Sequence, residues 1–149
     1  MEALKSFKAG NESVLSYLPG SAERMGLEQE LARQHAQRVD IPLVIGGKRI
    51  YTVEREQVVC PHEHQHVLAT LNQATRQEAQ QAIDSAVTAQ REWSCWTLEE
   101  RSAVFLKAAD LLAGPWRARL NAATMLGQSK TVQQAEIDSA CELIDFLRF

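Results

Sequence analysis

The stretch LNAATMLGQSKT at positions 120–131, continued by VQQAEIDSACELIDFLRF at 132–149, decides how this chain folds. After Thr131, hydrophobic residues recur at the three- and four-residue spacing of one helix face: Ile137, Ala140, Cys141, Ile144 and Leu147. Acidic residues fill the opposite face: Asp138, Glu142 and Asp145. The pattern predicts a long amphipathic helix.

The hydrophobic face of this helix needs a surface to pack on. It carries large side chains up to the last residue, among them Ile144, Phe146, Leu147 and Phe149, and no glycine, asparagine or proline encodes an end to the helix. We therefore expect that the chain is truncated at Phe149 and that the surface covering this face lies in sequence that follows it.

Composition restricts the class of protein. The 149 residues are 45% hydrophobic and 23% charged with a formal net charge of -3, which is typical of a soluble globular protein and predicts neither a nucleic-acid nor a membrane partner. Three cysteines without paired spacing, Cys60, Cys95 and Cys141, favour a reducing compartment. We expect a cytoplasmic protein, or a mitochondrial matrix protein if the source is eukaryotic.

The first half of the chain predicts an arm and a small β element. For residues 1–40 we predict a helical arm in which Pro19-Gly20 is a turn, Ser21 caps a helix and the helix covers 22–38. For residues 41–74 we predict an antiparallel hairpin and extended element: runs 41–45 and 48–52 flank Gly46-Gly47, and strands follow at 58–60 and 66–71.

Residues 75–149 predict four consecutive α-helices. Capping-box patterns begin the first two, at Thr75-Arg76-Gln77-Glu78 and Thr97-Leu98-Glu99-Glu100, and Gly114-Pro115 ends the second. The third runs from near Trp116 to Gly127, and the fourth follows Thr131. The predicted fold class is a mixed α/β segment made of an arm, a hairpin and four helices.

Two sequence patterns resemble known chemical sites. His62, His64 and His66 alternate in CPHEHQH and could share a metal ion, but Pro61 and the polar run are typical of a connection, so we expect no functional metal. GQSKT at 127–131 lacks the glycines of a phosphate-binding loop, and no G-x-G-x-x-G occurs among the seven glycines. Structural roles are expected for Cys95 and Cys141.

Glu136 is the strongest candidate for a functional carboxylate. It borders the hydrophobic face in the first half of the long helix, where the helix dipole favours a negative charge. Partial burial would make this carboxylate seek a cation. The alternative is a solvated glutamate that only helps the helix to begin.

Several stretches, in the same order, resemble the N-terminal part of the 1-pyrroline-5-carboxylate dehydrogenases of the aldehyde dehydrogenase superfamily. The resemblance covers nearly the whole chain and is carried by LPGSAER at 18–24, IPLVIGGK at 41–48, CPHEH at 60–64, VFLKAADLLAGPWR at 104–117, NAATMLGQSKT at 121–131, QAEID at 134–138 and ELIDFLRF at 142–149. The segment from GQSKT to LRF separates this branch from general aldehyde dehydrogenases.

The resemblance implies an NAD-dependent oxidation of L-glutamate γ-semialdehyde to L-glutamate in proline catabolism, within a helical segment that packs on the NAD-binding domain. It also implies that the catalytic cysteine, the general-base glutamate and the NAD-binding loop lie beyond Phe149, so that the isolated chain is inactive. Glu136 matches a family glutamate near the substrate entrance, which gives it a role toward the substrate's ammonium group. The implied partners are the remainder of the dehydrogenase chain, a small-molecule substrate and further copies in a homo-oligomer.

Two other functions stay open on the sequence. The first is a stand-alone helical module that self-associates through its exposed C-terminal face without catalysis. The second is a metal binder that uses His62, His64 and His66.

Overall fold

The structure is a computed structural model that describes residues 10–149; residues 1–9, which begin the predicted arm, lie outside the described residues. Within the described range the elements are α1 (Ala22–His35), β1 (Val39–Ile41), β2 (Leu43–Ile45), β3 (Lys48–Ile50), β4 (Arg55–Cys60), β5 (Glu63–Asn72), α2 (Arg76–Trp93), α3 (Leu98–Ala113), α4 (Arg117–Gln128), α5 (Val132–Ala135), a π-helical turn (Glu136–Cys141) and α6 (Glu142–Arg148). None of these helices is long and hydrophobic enough to cross a membrane.

The elements cluster into two compact units. One unit combines the chain up to Gln37 with Leu98–Phe149, and the other is Arg38–Thr97. The first holds α1, α3, α4 and the helical run from α5 to α6, and the second holds the five strands and α2.

The β2–β3 hairpin confirms the prediction made from Gly46-Gly47. Leu43 pairs with Ile50 and Ile45 with Lys48, and both glycines have positive φ angles, 56° and 74°. A two-residue turn of this kind needs positive φ at both positions, which glycine adopts without steric cost. A Cβ atom on Gly46 would also lie 3.0 Å from Oγ of Ser85 on α2.

The second sheet differs from the prediction in one pairing. The two predicted strands are present and longer, as β4 and β5, and they pair antiparallel with irregular register near Val59. However, β1 pairs parallel to β5, so this element is not purely antiparallel. Asn72 at the end of β5 also bonds to β1. Its side-chain amide donates to Asp40 Oδ1 at 2.7 Å and to the Ile41 carbonyl at 2.9 Å.

Helix boundaries follow the local code closely. Ser21 caps α1 and Thr75 forms a complete capping box with Glu78 at the start of α2. The first helix ends at His35 and not at Arg38, because the chain turns there to enter β1 at Val39. The four predicted helical segments of the C-terminal half are present, but the last is interrupted by the π-helical turn.

Two small hydrophobic clusters form the core of the helical unit. Tyr17, Leu27 and Ala122 make the first, and Ala109, Ala140 and Ile144 make the second. The predicted hydrophobic face of the last helix is therefore buried at its centre. Its ends are exposed, since Ile137 is 37% exposed and Phe146 is 79% exposed.

Candidate functional site

The π-helical turn that contains Glu136 begins directly after a firmly capped helix start. Thr131 Oγ1 accepts the backbone N–H of Gln134 at 3.3 Å, and the Gln134 side chain accepts the Thr131 N–H at 3.0 Å. Further along, the N–H of Glu142 donates to the carbonyl of Ile137, five residues earlier. This wider turn accommodates one residue more than an α-helical turn does.

The Glu136 carboxylate is fully buried and accepts hydrogen bonds from five residues. Oε1 accepts the backbone N–H of Leu15 at 2.7 Å, an N–H of Arg117 and the long, weak bond from the Cys141 thiol at 3.9 Å. Oε2 accepts from the Tyr17 hydroxyl at 2.8 Å, from the Asn121 amide at 2.8 Å and from Arg117 Nε at 3.3 Å. A buried carboxylate is stable only when it is paired and hydrogen-bonded in this way.

Arg117 connects the Glu136 carboxylate to residues of segment 11–17. Its guanidinium also donates to Glu12 Oε1 at 2.7 Å and to the Ser13 carbonyl at 2.6 Å, and Arg148 holds the second Glu12 oxygen at 2.7 Å. Two carboxylates and two guanidinium groups therefore alternate from Glu136 to Arg148. The alternation keeps the buried network close to neutral, as burial demands.

Segment 11–17, which has no regular secondary structure and which we call the strap, lies over this network. Its first end is bonded to α6, because Asn11 Nδ2 and the Glu12 N–H donate to the two carboxylate oxygens of Asp145 at 2.8 and 2.7 Å. Its second end supplies Leu15 and Tyr17 to Glu136. Tyr17 adopts a positive φ of 51°, an uncommon conformation for a bulky residue that directs its ring into the core.

Electrostatics fix the protonation of these groups. Burial alone would raise the pKa of the Glu136 carboxyl, but the Arg117 guanidinium and the donors from Leu15, Tyr17 and Asn121 outweigh burial and hold that pKa below its ordinary value. Burial and the adjacent Glu136 raise the pKa of the Tyr17 phenol. Burial and Glu136 likewise raise the pKa of the Cys141 thiol, which lies 3.5 Å from Arg117 Nη2.

This arrangement is suited to positioning and not to bond-making. Glu136 is ionised but its two oxygens already accept six hydrogen bonds, and the neighbouring phenol and thiol are held in their protonated forms. A general base or nucleophile needs a free lone pair that faces a reacting atom. The network instead fixes the strap, α4 and the π-helical turn to one another.

Glu136 is thus buried, as expected from its place beside the hydrophobic face, and the solvated alternative is wrong. The cation that it meets in this structure is Arg117. Cys141 lies in the same network, while Cys95 is exposed and donates to the Arg91 carbonyl at 3.3 Å.

The three histidines are not brought together. His62 lies in the turn between β4 and β5 with Nε2 3.3 Å from Cys60 Sγ. His66 lies on β5, as the predicted strand over 66–71 requires, and His64 also lies on β5 although a connection was predicted there. In the described part of the chain, these three side chains do not form a group whose ligand atoms could share one ion.

Sequence reasoning missed most partners of Glu136. Arg117, Asn121 and Thr124 recur at positions i, i+4 and i+7 of α4 and are all buried, so they form a polar stripe on the inner face of that helix. That spacing was visible in the sequence. The strap residues Glu12 and Tyr17 gave no such signal.

Comparisons with known proteins agree with the resemblance drawn from the sequence. Residues 51–149 match the model of the aldehyde dehydrogenase family. The human mitochondrial delta-1-pyrroline-5-carboxylate dehydrogenase is 43% identical over 144 residues, and the Dictyostelium discoideum mitochondrial enzyme of the same name is 46% identical over 140 residues. These alignments cover 97% and 93% of this chain, but 26% and 25% of the relatives.

A solved structure adds the evidence from the fold. The Delta-pyrroline-5-carboxylate dehydrogenase from Mycobacterium tuberculosis, bound with NAD, superposes with a TM-score of 0.92 at 52% identity over 94% of this chain and 26% of that one. The chain spans about a quarter of the length of the relatives that it matches. Sequence and fold agree over nearly all of its length, and the chain belongs to the aldehyde dehydrogenase family.

Proposed function

We propose that this chain is the N-terminal part of an NAD-dependent dehydrogenase that oxidises L-glutamate γ-semialdehyde, the open form of 1-pyrroline-5-carboxylate, to L-glutamate in proline catabolism. The observation that carries the proposal is the 52% identity and TM-score of 0.92 to a dehydrogenase of that name with bound NAD. The proposed compartment is the cytoplasm, or the mitochondrial matrix in a eukaryote, which the mitochondrial relatives support.

We propose that NAD binds outside these 149 residues. They contain no G-x-G-x-x-G loop. At the start of α2, the element that follows β5, the Thr75 N–H already donates to the Glu78 carboxylate. A dinucleotide phosphate needs open N–H groups at such a helix start. We therefore assign NAD binding, the nucleophilic cysteine and the general base to the rest of the proposed enzyme, onto whose NAD-binding domain this helical segment would pack.

The domain organisation proposed from the sequence divides this segment into an arm over residues 1–40, a hairpin element over 41–74 and helices over 75–149. In the proposed enzyme, the helices are the portion that contacts the cofactor domain. Their exposed hydrophobic residues support this, since Phe146 and Phe149 are more than 70% exposed.

A chimaera tests the proposal directly. This chain would replace the corresponding quarter of the Mycobacterium tuberculosis enzyme, and NADH formation would be followed with L-glutamate γ-semialdehyde. We expect turnover from the chimaera and none from the isolated chain. A folded chimaera that oxidises simple aliphatic aldehydes but not the semialdehyde would contradict the assigned substrate.

For Glu136 we propose a role in positioning the ammonium group of the substrate. The carboxylate already holds Arg117 and has no exposed surface, so a substrate ammonium group reaches it only if one of its present donors withdraws. In the chimaera, Glu136→Gln should raise KM for the semialdehyde more than for an aldehyde of equal length without the ammonium group. Equal effects on both substrates would assign Glu136 to folding alone.

The second candidate function, a self-associating helical module, rests on one surface. A groove of about 320 Å³ opens between α3 and α6, and its lining includes Phe105, Phe146 and Phe149. Contiguous exposed aromatic residues are typical of an interface, here with a second copy of the chain. Light scattering should then show a defined oligomer that Phe146→Glu dissociates; a monomer at all concentrations would exclude this module, and the same experiment tests the proposed homo-oligomer.

A further inference from the structure

The strap binds two carboxylates that a regular α-helix would not present together. Leu15 and Tyr17 bond Glu136, and Asn11 and Glu12 bond Asp145. These carboxylates are nine positions apart, and at 3.6 residues per turn nine positions amount to about two and a half turns. In an uninterrupted α-helix the two side chains would lie about 180° apart, on opposite faces.

The π-helical turn removes this conflict. It begins at Glu136, ends at Cys141 before Asp145, and absorbs one extra residue. The rotation then corresponds to about eight α-helical positions, which leaves the two carboxylates about 80° apart. One extended segment can reach both from the same side.

The dimensions of the strap agree with this geometry. From Glu12 to Leu15 the chain advances three residues, about 10 Å when extended, while about eight α-helical positions separate the two carboxylates by roughly 12 Å along the helix. The side chains make up the difference, because Asp145 and Glu136 each reach toward a backbone N–H at 2.7 Å. The strap runs antiparallel to the helix, with its earlier residue on the later carboxylate.

Contacts at the start of the turn and after it fix the direction in which side chains point from each half of the helix. At the first residue of the turn, Arg117 and Asn121 fix Glu136 against α4. After the turn, Ile144 packs with Ala109 of α3 in the second hydrophobic cluster. The strap is hydrogen-bonded to both halves and so bridges the π-helical turn.

We propose that residues 11–17 act as a register clasp, which holds the C-terminal helix in its π-containing register and releases it when the bonds to Asp145 are lost. Release turns residues 142–148 relative to Arg117 by about 100°, the rotation of one residue. The device gives this unit two arrangements of its last helix, and docking of the N-terminal segment selects between them. It is independent of the proposed enzymatic activity.

Hydrogen exchange on the full chain tests the clasp, with Asp145→Ala as the releasing variant. The matched control is Asp138→Ala, which removes an acidic residue of the same helix that pairs with Lys130 and not with the strap. Asp145→Ala should speed exchange of amides at 11–17 and also at 137–142, and should raise the labelling rate of the buried Cys141 thiol about tenfold or more, the effect of losing hydrogen bonds to a charged group. Asp138→Ala should leave both regions unchanged.

Two results would overturn the proposal. Faster exchange confined to 11–13 would make the strap a passive cover, and equal opening by both substitutions would reduce the effect to general loss of helix stability. Amides of α1 serve as the internal reference for global unfolding.

Deletion of Ile137 provides a second, independent variant. It shortens the turn by one partly exposed residue and places the two carboxylates eight positions apart in a regular α-helix. The strap should remain protected from exchange in this variant, and Asp145→Ala added to it should speed exchange at 11–13 without affecting the helix. A deletion variant that loses protection of the strap would contradict the geometry.

Discussion

Removing the positive charge of Arg117 should be the most destabilising single change at this site. Arg117→Met keeps much of the side-chain length but leaves the Glu136 carboxylate buried without its cation and takes the donor from the Ser13 carbonyl. Breaking a buried ion pair from one side costs about 3–5 kcal/mol. Since the whole stability of a domain is about 5–15 kcal/mol, this is a large fraction of the total.

The loss should be much smaller when both partners are replaced. In the double variant Arg117→Met, Glu136→Met neither member of the pair is left as a lone buried charge, and hydrophobic replacement of a buried ion pair is often neutral or stabilising by about 1–4 kcal/mol. The double variant should therefore be more stable than Arg117→Met alone. Tyr17 and Asn121 keep their mutual hydrogen bond of 2.9 Å in that background.

Urea unfolding followed by far-UV circular dichroism measures these differences in stability. They should shift the urea concentration at the midpoint of unfolding and leave the dependence of the free energy of unfolding on urea unchanged. The control is Arg24→Met, which removes a surface arginine paired with Glu28 and should leave the midpoint within error. Our reasoning would be refuted if Arg117→Met cost less than about 1 kcal/mol, or if the double variant were the least stable of the set.

Three further predictions concern other contacts. Tyr17→Phe removes the phenol donor to Glu136 and should lower the free energy of unfolding by about 1–3 kcal/mol, again by urea titration; no change would mean that the hydroxyl contributes nothing. Because the pKa values of Glu136 and Asp145 are lowered in the folded chain, and Arg33 lowers that of Glu30 to about 2, these carboxylates stabilise the fold above their ordinary pKa of about 4. The melting temperature should therefore fall as the pH is lowered from about 4.5 toward about 2, and a flat profile would contradict this. Gly46→Ala should destabilise the hairpin unit by about 1–2 kcal/mol because of its positive φ, whereas Gly26→Ala inside α1 should stabilise its helix by up to about 1 kcal/mol; thermal melts of the two variants should shift in opposite directions.

Features with a local code could be predicted from the sequence. Gly46-Gly47 specified the hairpin turn, and the Thr75 to Glu78 spacing specified the start of α2, because in each case the partners lie within a few residues. For such features, sequence order and spatial proximity coincide.

The partners of Glu136 could be predicted only in part. A carboxylate beside a hydrophobic helix face must find a cation, and this was expected; the identity of the cation was not. Arg117 is 19 positions away and Leu15 is 121 positions away, so nothing near Glu136 in the sequence indicates either. The π-helical turn was also hidden, since EIDSAC has ordinary helical periodicity and the extra residue is accommodated only because tertiary contacts hold both halves.

The distance along the chain between the strap and its carboxylates sets the order of folding events during synthesis. Glu12 leaves the ribosome long before Asp145, which follows 133 positions later. At about 5–20 residues per second, translation of that interval takes roughly 7–27 seconds, far longer than a helix needs to form. The hydrophobic contacts of α1 can form on the nascent chain, but the buried ionic network cannot close until the last helix has emerged. A chain that stalls before Glu136 would leave Tyr17 and Arg117 without their shared carboxylate.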